Sequence, residues 1–187
     1  MLYAPTIYAP KGFVKTSFKK EGQSFLDVGC GYRKLPGAVG VDADRNSEAD
    51  VHHNLESFPW PFAENSFDLI LLSHVLEHLP DTARTLREIW RVGKPGASVV
   101  IQVPYFRSPD AFADPTHKHF FTIQSETFIV AAGFEKRGFW IGWPHPSSNP
   151  FRELFKKFIH ARPHFYERIL SLIAPAECLT WELQIKK

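Results

Sequence analysis

The sequence predicts an α/β domain built on a largely parallel sheet. Its apolar runs are short and continuous rather than alternating, which is typical of strands buried on both faces of a parallel sheet. Segments with helical periodicity alternate with these runs, and that alternation indicates βαβ units. The runs that predict strands are Phe25–Val28, Val39–Val41, Leu69–Leu72 and Ser98–Val103.

Two helices and a further strand are expected in the middle of the chain. Asp81 can cap the first helix, and apolar residues up to Trp90 mark one face of it at helical spacing. Glycine and proline between 93 and 96 forbid its continuation. A second helix is predicted over 124–132, with a strand over 134–140 following it.

The last part of the chain predicts a helical insertion at 144–175, before the last strand. Asn149 can cap a helix that has Pro150 at its first position. Apolar residues then recur at i, i+3, i+4, i+7 and i+8, so this helix is amphipathic, and Pro163 ends it. A shorter helix follows, and the alternating residues at 177–187 predict the final strand. We interpret the insertion as a helical layer packed on the sheet, with a membrane-touching or substrate-capping role as the alternative.

Length, charge and cysteine content narrow the class of protein. A chain of 187 residues suits one domain over 1–187 with a core of ordinary size, here with an N-terminal extension at 1–22. The formal net charge of +2 is too small to indicate a nucleic-acid binder. Cys30 and Cys178 do not indicate a disulfide framework or a zinc module. The N-terminus has no apolar signal-peptide core, and no run approaches the roughly 18 apolar residues of a membrane span. We therefore expect a cytoplasmic protein.

The most informative stretch joins the first strand to a glycine loop, Phe25-Leu-Asp-Val-Gly-Cys-Gly31. Glycine lets backbone amides approach a ligand closely, and ligands of open α/β sheets bind beyond the carboxyl ends of the strands. Asp42 ends the next strand, where a carboxylate can accept both hydroxyls of a ribose. A dinucleotide-binding fingerprint would need a third glycine where Lys34 stands. Asp27 would be unfavourable beside a pyrophosphate and suits a ligand that carries an ammonium group.

A series of short motifs then follows in order along the chain. They are Leu26-Asp-Val-Gly-Cys-Gly31, Gly40-Val-Asp42, Pro61-Phe-Ala-Glu-Asn-Ser-Phe-Asp-Leu-Ile70, Val75-Leu-Glu-His-Leu79, Leu86-Arg-Glu-Ile-Trp-Arg-Val92, Lys94-Pro-Gly96 and Ala132-Gly-Phe134. With them, the chain from Ser24 to Gly142 resembles the class I S-adenosylmethionine-dependent methyltransferases of the small methyltransferase-domain type. The resemblance implies a Rossmann-like, doubly wound sheet of seven strands, mostly parallel with the last strand antiparallel. It also implies S-adenosylmethionine as the cofactor and methyl transfer as the activity.

The resemblance assigns a set of residues to the cofactor. They are Asp27, Gly29, Cys30, Gly31, Asp42, Asn54, Leu55 and Ser73. The first four would surround the methionine moiety, and Asp42 would hold the ribose. Asn54 and Leu55 lie nearest the place where the family usually has an acid for the adenine amino group, and an Asn carbonyl makes a weaker, uncharged hydrogen bond there. Ser73 and His74 would lie beside the amino-acid end and the transferable methyl group.

The segment after the glycine loop departs from the family pattern. Only ten residues separate Gly31 from Asp42, fewer than is common in the family. The helix that usually follows the glycine loop must therefore be nearly absent, and 32–37 is predicted to be a bare loop.

Three histidines are candidate general bases, because an imidazole with a pKa near neutrality suits proton removal. They are His74, His78 and His117. His117 follows the fifth strand, on the active-site side of the sheet, and a structural hydrogen-bonding role is its alternative. His74-Val-Leu-Glu-His78 also matches the H-x-x-E-H pattern of one metalloprotease group, so a zinc hydrolase using His74 and His78 is a distant alternative. No third ligand is fixed by spacing near His117, and we predict no metal site from the sequence.

The sequence thus predicts transfer of a methyl group to a small-molecule, glycan or lipid-linked acceptor. A non-catalytic S-adenosylmethionine-binding or regulatory module is the alternative from another class. Basic residues on the helix at 150–162 allow peripheral contact with an anionic membrane. No nucleic-acid partner is expected.

Overall fold

The computed structural model describes residues 22–142 and 150–187, without the side chains at 152 and 153. Its strands are β1 (Phe25–Val28), β2 (Val39–Asp42), β3 (Val51–His52), β4 (Phe67–Ser73), β5 (Gly93–Pro104), β6 (Phe134–Ile141) and β7 (Cys178–Ile185). Its helices are α1 (Thr82–Val92), α2 (Asp110–Ala113), α3 (Ser125–Ala131), α4 (Pro150–Ala161) and α5 (Pro163–Arg168), and a 3₁₀ turn follows at Leu170–Leu172. The predicted N-terminal extension lies, except for Gly22, outside the described residues, as does the beginning of the predicted insertion, including Asn149.

The strands form one seven-stranded sheet in the order β3-β2-β1-β4-β5-β7-β6. The first five strands run parallel, and β7 lies antiparallel between β5 and β6. This confirms the predicted fold class, including the antiparallel last strand. Because β1, β2, β4 and β5 are parallel, their carboxyl ends meet at one edge of the sheet. The strand ends and loops at this edge carry the residues assigned to the cofactor.

The continuous apolar runs form the core of the sheet, as predicted. All four residues of β1 and the last six of β5 are buried, which fits strands covered on both faces. On β7, Leu179, Trp181 and Leu183 have no exposed surface, and Trp181 lies opposite Ile101 of β5 and Phe139 of β6. A single hydrophobic cluster thereby joins the strands to the inner face of α1.

Helix α1 begins and ends where the sequence indicates. The Arg84 N–H donates to Asp81 Oδ1 at 2.8 Å, so Asp81 is its N-cap. Within the helix, Glu88 and Arg91 form an ion pair at 2.7 Å, and Glu88 Oε2 also accepts the Trp60 N–H at 2.8 Å. This carboxylate therefore joins α1 to the segment that precedes β4.

The loop between β1 and β2 contains no helix, in agreement with the short spacing between Gly31 and Asp42. Turns and bends occupy it instead. A surface ion pair between Lys34 and Asp50, 2.7 Å long, attaches this loop to the segment that leads into β3.

Helix α4 packs on the sheet through only part of its surface. Of its described side chains only Ile159 is buried, whereas Phe151 is 81% exposed and Leu154 is 67% exposed. The helix is attached near its end, where the Ile141 N–H donates to His160 Nε2 at 3.0 Å. The periodicity of the sequence identified the apolar face of α4, but it did not show how much of that face packs against the rest of the protein. Among the helices in the described ranges, none is long and apolar enough to cross a membrane.

Candidate active site at the carboxyl ends of the strands

The glycine loop leaves β1 through backbone conformations that favour glycine. Gly29 has φ +64° and its N–H donates to the Val41 carbonyl at 2.7 Å. A Cβ on Gly29 would lie 2.5 Å from Val75 Cγ2, so a side chain here would collide with the segment after β4. Gly31 has φ +53°, and a Cβ there would meet no atom of the described residues within 4 Å. The loop is therefore tightly packed at Gly29 and open at Gly31, where a ligand has room to approach the backbone.

Asp42 joins the end of β2 to the glycine loop. Its Oδ2 accepts the Gly31 N–H at 2.9 Å, and its Oδ1 accepts the Asp44 N–H at 2.8 Å. Each carboxylate oxygen keeps acceptor capacity after these two bonds. The side chain can thus position the loop and still accept hydroxyl groups of a ligand.

Asp27 is a buried carboxylate at the same edge of the sheet. It is 5% exposed, and its Oδ2 accepts the Leu35 N–H at 2.7 Å. Burial raises the pKa of Asp27 to about 6, against the lowering effects of the Leu35 hydrogen bond and of Lys34. A cationic group placed beside it would favour the ionised form.

Cys30 lies between the two glycines with 8% of its surface exposed. Burial, followed by the nearby Asp27 charge, raises the pKa of its thiol to about 12. The thiol therefore stays protonated at neutral pH and does not serve as a nucleophile.

Ser73 ends β4 and is oriented by a buried amide. Its hydroxyl donates to Gln102 Oε1 at 3.1 Å, while Gln102 Nε2 donates to Thr180 Oγ1 at 3.2 Å. Gln102 is 1% exposed. Because the hydroxyl hydrogen of Ser73 points to Gln102, the oxygen of Ser73 remains as an acceptor.

The two residues assigned to the adenine follow β3. Asn54 Oδ1 accepts the Glu56 N–H at 3.0 Å, in a local turn, and keeps one further lone pair. The Leu55 side chain is buried in the core at 7% exposure, and its carbonyl accepts the Trp60 indole N–H at 3.1 Å. Asn54 can therefore still accept a hydrogen bond, and Leu55 is fixed in place mainly by core packing.

The segment 74–78 is a turn rather than a helix. His74 has φ +56°, which is uncommon for a residue other than glycine, and its N–H donates to the Gln102 carbonyl at 2.9 Å. The His78 N–H donates to the Val75 carbonyl at 3.0 Å and closes the turn. The helix on which the H-x-x-E-H motif of a zinc hydrolase depends is thus not formed at these residues.

His78 and His117 lie side by side, with ring centroids 4.7 Å apart. His78 Nδ1 is 2.8 Å from Thr116 Oγ1, which itself donates to Asp114 Oδ1 at 2.7 Å. His117 Nδ1 is 2.9 Å from the Ala111 carbonyl. In both rings Nδ1 must therefore carry the hydrogen, which leaves Nε2 with a lone pair in the neutral imidazole. Burial lowers the pKa of His78, and the Glu77 carboxylate opposes this effect.

Aromatic side chains on this side of the sheet divide into core and surface residues. Tyr105 has no exposed surface and Phe121 only 5%, so both belong mainly to the core. Phe120 is 49% exposed and stacks on Phe112 at 4.7 Å. A surface cavity of about 260 Å³ is lined by Thr82, His119, Phe120, Phe121, Ser125 and Phe128.

Sequence reasoning missed three residues of this region. Gln102 orients Ser73, Thr116 orients His78, and Glu77 is a fully buried carboxylate between His74 and His78. The polar Gln102 within the apolar run of β5 was a visible signal, because buried polar residues need partners. The partners of Thr116 and Glu77 depend on the path of the loop after β5, which periodicity does not reveal.

Comparisons with known proteins agree with this geometry. Residues 26–101 match the family model described as "Methyltransferase domain". The chain is 27% identical over 106 residues to the ajmaline N-methyltransferase of Rauvolfia serpentina, covering 44% of this chain and 36% of that protein. It is 30% identical over 115 residues to a demethylmenaquinone methyltransferase of Desulfitobacterium hafniense, covering 48% and 46%. The chain thus spans less than half the length of these curated relatives.

The fold is also similar to solved structures. A crystal structure of a SAM dependent methyltransferase from Archaeoglobus fulgidus superposes with a TM-score of 0.65 at 18% identity, over 93% of this chain and 92% of that one. Acceptor groups at Asp27, Asp42 and Ser73 fit a ligand with an ammonium group and a ribose. Residues 26–101 are therefore similar to a methyltransferase domain, and the chain shares its fold with this solved methyltransferase structure.

Proposed function

We propose that this chain is an S-adenosylmethionine-dependent methyltransferase. The observation that supports the proposal best is the pair of acids at the carboxyl ends of neighbouring strands, Asp27 on β1 and Asp42 on β2. One is buried with a raised pKa, which suits a cationic ligand, and the other keeps acceptor capacity for hydroxyl groups. Between them the backbone at Gly31 is open to a ligand.

Each residue of the site would bind a different part of the cofactor. Asp27, with the Ser73 oxygen, would accept the ammonium group of the methionine moiety, and Gly29 to Gly31 would pass beside it. Asp42 would accept the ribose hydroxyls. Asn54 and Leu55 would flank the adenine, with the Asn54 carbonyl as the acceptor for its amino group.

The bound cofactor supplies an electrophilic methyl group on a positively charged sulfur. The acceptor forms its bond to the methyl carbon in line, the carbon–sulfur bond breaks with its electron pair on sulfur, and S-adenosylhomocysteine leaves. Holding the acceptor in alignment is worth about 7–11 kcal/mol in such reactions, so the main tasks of the protein are orientation and exclusion of water. The ordered network from Ser73 through Gln102 supports the first of these tasks, because it fixes the end of β4.

An oxygen or nitrogen acceptor must also lose a proton. His78 and His117 are suited to take it, since their Nδ1 hydrogens are used in hydrogen bonds and Nε2 carries the lone pair. His74 is the third candidate base, at the end of β4. The names of the two curated relatives include an N-methyltransferase and a demethylmenaquinone methyltransferase, so they do not select one acceptor.

The exposed apolar face of α4 supports a lipid-linked or membrane-associated acceptor. Phe151, Leu154, Phe155 and Phe158 are all at least 41% exposed. Lys157 is exposed on the same helix and Arg162 directly after it, and this combination suits an anionic lipid surface. The free, buried thiols of Cys30 and Cys178 support a reducing, cytoplasmic location for the protein.

Calorimetric titration with S-adenosylmethionine and S-adenosylhomocysteine tests the proposal. We expect micromolar binding of at least one of them, and weaker binding by about 1.5–3 kcal/mol in Asp42→Ala, the worth of hydrogen bonds to a charged group. The matched control is Glu64→Ala, an exposed acid before β4 at the opposite edge of the sheet. Loss of binding in both variants, or in neither, would place the cofactor elsewhere. Tight binding without methyl transfer to any hydroxyl, amine or lipid acceptor would favour the non-catalytic binding or regulatory module.

A further inference from the structure

A second cluster of chemically active side chains lies after β4, outside the set assigned to the cofactor. Glu77, His78 and His117 each offer a ligand atom, and these atoms all lie within 4.8 Å of one another. The cluster brings together the turn after β4 and the loop after β5. Two backbone bonds hold that loop against the turn, because the N–H groups of Lys118 and His119 donate to the Glu77 carbonyl at 2.8 and 3.2 Å.

Glu77 is the unusual member of the cluster. The residue has no exposed surface, and within the described part of the chain neither carboxylate oxygen makes a hydrogen bond. His74 Nδ1 lies 3.4 Å from Oε1 without satisfying it. A buried carboxylate left in this way is unfavourable unless a positive charge or a donor occupies the adjacent space. The empty acceptor capacity of Glu77 therefore points to a ligand that the described residues do not supply.

The two histidines are prepared for the same kind of ligand. Metal-binding imidazoles commonly donate their second ring N–H to a carbonyl or to a chain that ends on a carboxylate. His117 Nδ1–H donates to the Ala111 carbonyl, and His78 Nδ1–H donates to Thr116, which donates to Asp114. Each bond fixes the tautomer that leaves Nε2 free to coordinate a metal.

We propose that Glu77, His78 and His117 form a site for a divalent transition-metal ion of the zinc class. Two imidazoles and one carboxylate suit zinc or iron(II) better than magnesium or calcium, which prefer oxygen ligands. Ligand atoms around a tetrahedral zinc lie about 3.3–3.5 Å apart for bonds of about 2.0–2.1 Å. From separations of at most 4.8 Å, the three groups must therefore approach one another by up to about 1.4 Å. Side-chain rotation in the loop after β5 can supply this movement.

Three protein ligands leave a coordination position open, which is typical of catalytic rather than structural sites. We assign that position to a hydroxyl oxygen of the methyl acceptor, and this role, unlike metal binding, rests on the proposed methyl transfer. With Nε2 of His78 and His117 bound to the metal, these histidines would be ligands in place of general bases. A metal-bound hydroxyl instead loses its proton to water at a lower pH than a free one. The acceptor oxygen would then form the new carbon–oxygen bond while the carbon–sulfur electron pair passes to the cofactor sulfur.

The full-length protein, first stripped with a chelator, tests the site by titration with cobalt(II) chloride and zinc chloride alone. Cobalt gives visible absorption bands whose intensity reports a low-coordinate nitrogen and oxygen site. We expect one metal ion per chain, and affinity at least about 100-fold lower in Glu77→Gln and His117→Gln. The control is His119→Gln, which alters a histidine in the same loop whose Nε2 is 3.2 Å from the Pro80 carbonyl. Its metal affinity should equal that of the wild type.

Two results would overturn the site: no stoichiometric metal in the wild type, or wild-type affinity in both Glu77→Gln and His117→Gln. Should the buried Glu77→Gln variant fail to fold, His117→Gln in the loop decides alone. Binding of S-adenosylhomocysteine, measured on the same samples, separates the two proposals. Nucleoside binding without metal refutes the metal site alone, whereas metal binding without nucleoside refutes the proposed function and leaves the metal site standing.

Discussion

Asp27→Asn is expected to stabilise the free protein at neutral pH while weakening its hold on the cofactor. Asn is close in shape to Asp and retains an acceptor oxygen for the Leu35 N–H. The substitution removes the negative charge that burial disfavours. The charge of Asp27 lowers the stability of the free protein. This cost is explained if the same charge binds a cationic ligand.

The magnitude follows from the two pKa values of Asp27. Burial raises its pKa in the folded protein to about 6, from 3.8 as the ordinary value. Because the folded state binds the proton more tightly, the stability that this group contributes is present below pH 3.8 and lost as the pH rises through about 6. Burial of the ionised Asp27 carboxylate therefore lowers the free energy of unfolding by about 3 kcal/mol above that pH, and by roughly half as much at about pH 5.

Urea denaturation without cofactor, followed by tryptophan fluorescence, measures this effect. The advantage of Asp27→Asn over the wild type should grow by about 1.4 kcal/mol between about pH 5 and about pH 7.5. The exposed acid substitution Glu64→Gln should show no comparable growth. An Asp27→Asn advantage that is equal at both pH values, or a variant that is less stable at both, would refute the argument from burial. In calorimetry the same variant should bind S-adenosylmethionine more weakly than the wild type.

Three further substitutions test other parts of the structure. His117→Ala should lower turnover by about 100-fold or more while S-adenosylhomocysteine affinity is retained. The control His119→Ala should leave both turnover and affinity unchanged. Equal losses of turnover and affinity in His117→Ala would indicate a structural role for His117. Glu88→Ala should lower the free energy of unfolding by about 2–3 kcal/mol in urea titrations, because it removes the acceptor of the Trp60 N–H and two hydrogen bonds from the Arg91 guanidinium. A loss below about 0.5 kcal/mol would contradict this. Phe151→Ser combined with Leu154→Ser should abolish cosedimentation with phosphatidylglycerol vesicles, and sedimentation equal to the wild type would argue against lipid contact through α4.

The sheet was predictable because burial on both faces leaves a direct mark on the sequence. A strand such as β1 or β4 can contain almost only apolar residues, and its length is set by the glycine, serine or acid that follows it. The short spacing between Gly31 and Asp42 similarly predicted a loop without a helix. The ten residues between them include the start of β2, and the rest are too few for a helix and its two connecting turns. These features are local, so the sequence determines them without knowledge of the rest of the fold.

The cluster at Glu77 could not be predicted in the same way. Glu77 and His117 are 40 residues apart in the sequence, and only the loop after β5 brings them together. The metalloprotease motif that His74 and His78 match requires a helix, whereas the chain forms a turn there, with His74 at a positive φ. Periodicity likewise identified the apolar face of α4 without predicting that Phe151 and Leu154 would be exposed.

Asp27 and Glu77 lie on segments at the ends of the neighbouring strands β1 and β4, and both carboxylates are buried. Burial disfavours a negative charge wherever no donor or cation accompanies it, yet the two sites resolve this differently. Asp27 accepts one backbone N–H and keeps a raised pKa, which suits a weakly held organic cation such as an ammonium group. Glu77 accepts no hydrogen bond from the described residues and has two oriented imidazoles beside it, which suits an ion that forms short bonds in fixed directions. The adjacent strand ends therefore present two anionic positions that differ in the kind of cation they select.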